Sequence, residues 1–73
     1  MTAETKLQLK IIVNGEPLAT GADTLANLLT ELDLQEARVA TARNGDFVPA
    51  PARAETRLQA GDRIEIVSPR HGG

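Results

Sequence analysis

Leu58-Gln59-Ala60-Gly61-Asp62-Arg63-Ile64-Glu65-Ile66-Val67 is the stretch on which the fold turns. Gly61-Asp62 reads as a turn. Ile64 and Ile66 then alternate with Arg63, Glu65 and Val67 at the two-residue period of a strand with one buried face. Pro69 stops that strand, because it has no N–H to give to a sheet ladder. The strand therefore feeds directly into Arg70-His71-Gly72-Gly73, with Leu58 anchoring the other end in the core.

Working outward to the other end of the sequence, Leu7, Leu9, Ile11 and Val13 alternate with Gln8, Lys10 and Ile12. The odd positions are expected to face a core and Ile12 the opposite side. Asn14-Gly15 is a strong hairpin signal, since both residues tolerate positive φ. Glu16-Pro17-Leu18-Ala19 returns from it, and Pro17 either places that strand at an edge or marks an irregular start to it. Thr20-Gly21-Ala22 reads as a connection, and Asp23 and Thr24 as two candidate helix N-caps. Leu25, Leu28, Leu29 and Leu32 form a one-sided helical stripe, too short for a coiled coil and therefore the helix half of the core.

Val39-Ala40-Thr41-Ala42-Arg43 reads as a third strand. Asn44-Gly45 supplies a second hairpin turn, from which Asp46-Phe47-Val48 returns. Pro49-Ala50-Pro51-Ala52-Arg53-Ala54 reads as an extended surface loop, because each proline pushes its predecessor away from helix. With the strand before the helix and the last strand both central, the two lie side by side and the sheet wraps one helix. That arrangement is α+β, a β-grasp with a mixed sheet of four to five strands. Pattern alone reaches only a small α+β domain.

Composition narrows the function. Seventy-three residues make one domain, 1–73, in which 1–6 is expected to be a flexible extension and 69–73 a flexible tail. With no cysteine, neither disulfides nor a thiolate metal site is available, and the one histidine, His71, sits in the tail. No secretory leader or membrane span is legible, and the expected setting is cytoplasmic. A net charge of −2 and a single aromatic residue, Phe47, disfavour nucleic acid as a partner. Asp62 and Glu65 read as a turn residue and a strand-face charge rather than a catalytic pair.

The tail is the feature that chemistry can use. Glycine is entropically expensive to order, so Gly72-Gly73 is a poor structural device. It suits the threading of an α-carboxylate into a narrow active site, where a Cβ would clash. The same reading places Ile12 and Val67 on the sheet face away from the helix, with the tail emerging beside them. Val67, Ile12, Arg70 and His71 are the candidate partner-docking residues, and Gly73 and Gly72 the candidate reacting terminus. No catalytic residue and no metal ligand is assigned within the chain.

Several stretches together resemble the ThiS family, ubiquitin-like sulfur carriers of bacterial thiamine biosynthesis. They are Ile11-Ile12-Val13-Asn14-Gly15-Glu16, Thr24-Leu25 leading to Leu28-Leu29, and Val39-Ala40. Asn44-Gly45, Val48-Pro49, and Leu58 with Gly61-Asp62-Arg63-Ile64-Glu65-Ile66-Val67 follow, and Gly72-Gly73 completes the set. Ala50 departs from that pattern, which usually has arginine there. Pro69-Arg70-His71 is more polar than the usual approach to the glycines, and the residues before Lys10 look like an extension.

The resemblance implies a ubiquitin-like β-grasp and a carrier role, with the chain a protein co-substrate rather than an enzyme. A ThiF-type adenylating enzyme would activate the Gly73 carboxylate with ATP and Mg²⁺, neither of which the carrier itself retains. A sulfur donor such as a cysteine desulfurase would supply the sulfur, and a ThiG-type thiazole synthase would receive it. An α-carboxylate is ionised at neutral pH and is a competent nucleophile toward phosphorus. Three other β-grasp roles remain open: the small subunit of molybdopterin synthase, a protein-conjugating modifier, and an RNA-contacting domain.

Overall fold

Asn14 and Gly15 turn the backbone at φ 51° and 84°, and Asn44 and Gly45 at φ 54° and 88°. Two consecutive positive-φ residues give the turn whose twist matches the flanking strands. Each of these turns accordingly closes a hairpin. The computed structural model describes residues 8–68. The first hairpin joins β1 (Leu9–Val13) to β2 (Glu16–Thr20), and the second joins β3 (Ala40–Arg43) to β4 (Asp46–Val48). Between them lies α1 (Leu25–Glu31). A 3₁₀ helix (Ala50–Glu55) and β5 (Arg63–Val67) follow.

The sheet order is β2-β1-β5-β3-β4, with β1 and β5 parallel and the other pairs antiparallel. This is the β-grasp expected from the sequence, with five strands. The strand beside β5 is β1, so the first and last strands are neighbours as the outward placement of Ile12 and Val67 expects, whereas β2, which immediately precedes the helix, lies at the edge and not beside β5.

Helix α1 starts at Thr24, whose hydroxyl accepts the Asn27 N–H at 3.1 Å, so of the two candidate caps Thr24 is the one used. Its far end is closed by two backbone bonds, Asp33 N–H to Thr30 C=O at 3.0 Å and Leu34 N–H to Leu29 C=O at 2.7 Å. That pair of bonds is a Schellman closure, with Asp33 at φ 65° in the position glycine usually takes. The helix consequently ends one residue before Leu32, which caps it and packs half-buried against the core.

Ile11, Ala22, Leu25, Leu28, Val48, Leu58 and Ile64 form the buried cluster, with Leu9, Val13, Leu18, Leu32, Ala52 and Ile66 packed against it. Leu29 is buried as well. Every expected core residue among the described residues is thus inside or half inside. Val48 and Ala22 are additions. So are two buried threonines. Thr20 ends β2 rather than belonging to the connection; its hydroxyl donates to the Glu31 carboxylate and accepts the Ala22 N–H. Thr41 donates to Val48 C=O at 2.8 Å and accepts from Arg53 Nε at 3.0 Å, so neither hydroxyl is left unpaired.

The segment after β4 corrects the sequence reading. Residues 49–54 are expected to form an extended loop, yet Ala50–Glu55 is a 3₁₀ helix. Pro49 is extended at φ −68°, ψ 155° and stands outside the helix as its cap, while Pro51 occupies its first turn. There a missing N–H has no partner to lose and a fixed φ already suits the helix. Arg53 then anchors the turn to β3, its guanidinium donating to Val39 C=O at 2.7 Å as well as to Thr41.

Candidate functional site

β5 is the strand that leads to residues 69–73, and both of its ends are tied down by side chains. At its start, Asp62 is only 5% exposed and accepts three hydrogen bonds. Gln59 N–H donates at 2.8 Å, Arg43 Nε at 2.8 Å and Asn44 Nδ2 at 3.0 Å. Burial pushes the carboxyl pKa upward. The bonds from Arg43, Gln59 and Asn44, with the charge on Arg43, outweigh burial and hold it below the ordinary aspartate value. Asp62 is therefore a charged structural knot in the turn. Glu65 stands exposed on the strand and shares no bond with it, so the two acids do not act as a pair.

At the other end, β1 has already turned away at Asn14. The Asn14 backbone N–H reaches Ile64 C=O at 2.9 Å, and its side chain goes one rung further. Oδ1 accepts the Ile66 N–H at 2.9 Å, and Nδ2 donates to Ile66 C=O at 3.1 Å. The carboxamide stands where the next peptide of β1 would have stood. Asn44 does something similar at the start of β5, accepting the Arg63 N–H at 2.8 Å.

The outer face of the sheet follows from the register. Ile12 lies beside Pro17 on β2 and Arg63 on β5. Glu65 lies beside Ala42, which lies beside Phe47, and Val67 lies beside Ala40. Among the described residues, Phe47 and Val67 are the exposed large apolar side chains, at 68% and 58%. The end of this face that leads to the tail is thus Val67 with Ala40, followed one outward rung back by Glu65, Ala42 and Phe47.

Of the candidate docking residues, Ile12 and Val67 share the outer face as expected, but they are not neighbours. Ile12 is level with Arg63, so four residues of β5, about 13 Å of strand, separate it from Val67. The tail follows Val67 and not Ile12, and Ile12 is half-buried. Ala40 is the residue beside Val67, and Phe47 stands two strands over, level with Glu65. The sequence held a signal for Phe47, a large aromatic one step past a hairpin turn on the outward parity. Arg70, His71, Gly72 and Gly73 lie outside the described residues, as does Leu7.

Two concavities flank α1. One, of about 560 Å³, is lined by Gln8, Gly21, Ala22, Asp23, Asn27 and Glu31 among others, and the second, of about 320 Å³, lies between α1 and the 3₁₀ helix over Arg53. Neither collects an acid–base set. No group of three or more histidine, cysteine, aspartate or glutamate side chains gathers to hold a metal among the described residues. Nor is any helix among them long and apolar enough to cross a membrane. The organised features are the two ties on β5 and the apolar face beside its end.

The model of the ThiS family matches residues 8–73, which takes in the whole β-grasp and runs to Gly72-Gly73. This chain belongs to the ThiS family. The crystal structure of the thiamine biosynthesis protein ThiS from Geobacter metallireducens superposes with a TM-score of 0.75 at 29% identity, covering 89% of this chain and all of that one. The likeness extends to a larger protein. A thiazole synthase of Paramagnetospirillum magneticum is 36% identical over 66 residues, which is 89% of this chain but 20% of that relative. The ThiS-family chain thus spans about a fifth of the length of that curated relative.

Proposed function

We propose that this chain is a sulfur carrier protein of thiamine biosynthesis, in which the carboxylate of Gly73 is the reacting group. The observation that carries the reading is the family match running unbroken through the sheet to Gly72-Gly73. The chain acts as co-substrate. A carboxylate oxygen attacks the α-phosphorus of ATP on a ThiF-type adenylating enzyme, releasing pyrophosphate and leaving an acyl-adenylate. Sulfide-level sulfur, released by a thiol reductant from the persulfide of a cysteine desulfurase, then displaces AMP to leave the thiocarboxylate, which passes its sulfur to a thiazole synthase. The partner provides Mg²⁺, positioning and charge stabilisation. The carrier contributes reach and two residues without side chains, and it works in the cytoplasm. The likeness to part of a thiazole synthase supports that enzyme as the acceptor.

The fold divides labour in a way that suits this chemistry. A short domain that gathers no acid–base set among its described residues holds β5 at both ends and offers Val67 on the open face at the end of β5 that leads to the tail. Val67 docks the adenylating enzyme, with Arg70 and His71 steering the tail and Ile12 at the rim of the contact.

The test is mass spectrometry of the full chain after incubation with the adenylating enzyme, Mg·ATP and sulfide. Oxygen should be replaced by sulfur in the C-terminal peptide. Location matters, because oxidation of Met1 adds nearly the same mass. The new group should react with a thiol-directed alkylating reagent although the chain has no cysteine. Deleting Gly73 should abolish the product, and Gly72→Ala should slow it. Equal sulfuration of the truncated chain would overturn the carrier reading.

A further inference from the structure

We infer that Asn14 is a positioning residue for the tail: its carboxamide, by closing the last rung on Ile66, fixes the point from which residues 69–73 leave the domain. The inference rests on the carrier reading above and adds to it a residue that does not touch the reacting atoms.

The argument begins with the direction of backbone groups. Along a strand, successive residues send their N–H and C=O to alternate sides. Ile64 C=O points toward β1, where it accepts the Asn14 N–H at 2.9 Å. Ile66 must point the same way. At that level β1 no longer exists as a strand, since Val13 is its last residue and the chain has entered the Asn14-Gly15 turn. Both polar groups of Ile66 would therefore have no backbone partner on that side. The Asn14 side chain supplies both at once, accepting at 2.9 Å and donating at 3.1 Å.

That double role selects the residue type. Aspartate tolerates the φ of 51° but can only accept, and would place a carboxylate against Ile66 C=O. Serine has one oxygen and too short a reach. Asparagine alone combines an acceptor, a donor and tolerance of a left-handed backbone. Only Val67 and Ser68 separate Ile66 from Pro69, so loss of this rung would free β5 on its β1 side from Ile66 onward. β5 is otherwise held toward β3, where Val67 pairs with Ala40, and by Asn44 at its start. The rung at Ile66 is therefore the last tie to the β1 side before the tail.

The experiment compares Asn14→Gly and Asn14→Asp with Asn44→Gly in the full chain. Glycine keeps both turns intact, so Asn14→Gly removes the carboxamide alone. Amide exchange at Ile66 should accelerate about fivefold or more in Asn14→Gly, which loses the acceptor, and less in Asn14→Asp, which keeps an acceptor and loses only the donor to Ile66 C=O. In steady-state adenylation with the activating enzyme, kcat should fall roughly tenfold while KM for the carrier is unchanged, because the docking face is intact and only the carboxylate is misplaced. Asn44→Gly, which removes a comparable side-chain tie far from the tail, should lower the melt without moving kcat. Wild-type protein that is never adenylated would remove the carrier reading and this inference with it. Adenylated wild type with an unchanged kcat in folded Asn14→Gly and Asn14→Asp would overturn this inference alone. So would an equal fall in kcat for Asn44→Gly.

Discussion

Arg43 and Asp62, nineteen residues apart in sequence, meet at 2.8 Å between Nε and Oδ2, and this pair ties the end of β3 to the turn that launches β5. The side chain of Asp62 is almost fully enclosed and that of Arg43 about a third exposed. Removing the carboxylate would leave the Gln59 N–H and the Arg43 guanidinium without their acceptor. Asp62→Ala should therefore cost about 1–3 kcal/mol.

The same knot sets a pH dependence. Its bonds hold the folded-state pKa of Asp62 below the ordinary aspartate value, although burial alone would raise it. A depressed folded pKa means that the unfolded chain binds the proton more readily. The stabilisation is thus fully present above the unfolded pKa of about 4, and is lost as pH falls through the lower folded value. Urea melts of the wild type should show this loss below about pH 4, and Asp62→Asn should flatten that part of the profile. An unchanged acid limb in the variant would show that the knot does not carry it.

The helix end offers a substitution in the stabilising direction. Asp33 holds φ 65° at the position where α1 closes on Thr30 and Leu29. A left-handed backbone costs an L-residue roughly 1–2 kcal/mol, less for aspartate than for most. Asp33→Gly should relieve that strain while freeing the unfolded chain, for a net gain of up to about 1 kcal/mol. A thermal melt measures it directly.

Leu28 is fully buried on the face of α1 that meets the sheet. Leu28→Ala should cost about 2–5 kcal/mol. Small domains hold only about 5–15 kcal/mol in total, so the variant should be partly unfolded at 37 °C. Near-ultraviolet signal is weak with one phenylalanine, and far-ultraviolet dichroism in urea is the better readout.

These elements also show what the sequence made legible. The hairpins were readable because Asn-Gly fixes its own backbone locally, and the leucine stripe because helical periodicity is local too. Residues 49–54 were misread since two prolines were weighed by their effect on the residue before them. Pro51 instead sits where a helix tolerates proline, and Arg53 holds the turn through contacts to β3 that no local pattern records. The second use of Asn14 and Asn44 was hidden for the same reason. Their side chains bond β5 at separations of 52 and 19 residues. Ile12 and Val67 were placed on the right face by parity. Parity does not give register, so their distance apart needed the pairing of β1 with β5, and the level of Phe47 with Glu65 the pairing of β3 with both neighbours.

The final prediction concerns that face. Val67 is 58% exposed, pairs with Ala40, and is the last strand residue before the tail. Phe47 is 68% exposed across Ala42 from Glu65. Interface cores are depleted in charge and enriched in aromatic residues, so these two exposed apolar residues are the part of the face best suited to meet the proposed adenylating enzyme. Val67→Asp places a charge there without touching the core. It should weaken binding at least about tenfold, since a buried, unpaired charge at an interface costs several kcal/mol. The melt should shift little, because surface substitutions usually stay within about 0.5 kcal/mol. Ile12→Asp, at the far end of the face, should weaken binding less. Titration calorimetry with the adenylating enzyme reads both effects, and a folded Val67→Asp that binds as well as the wild type would remove Val67 from the contact.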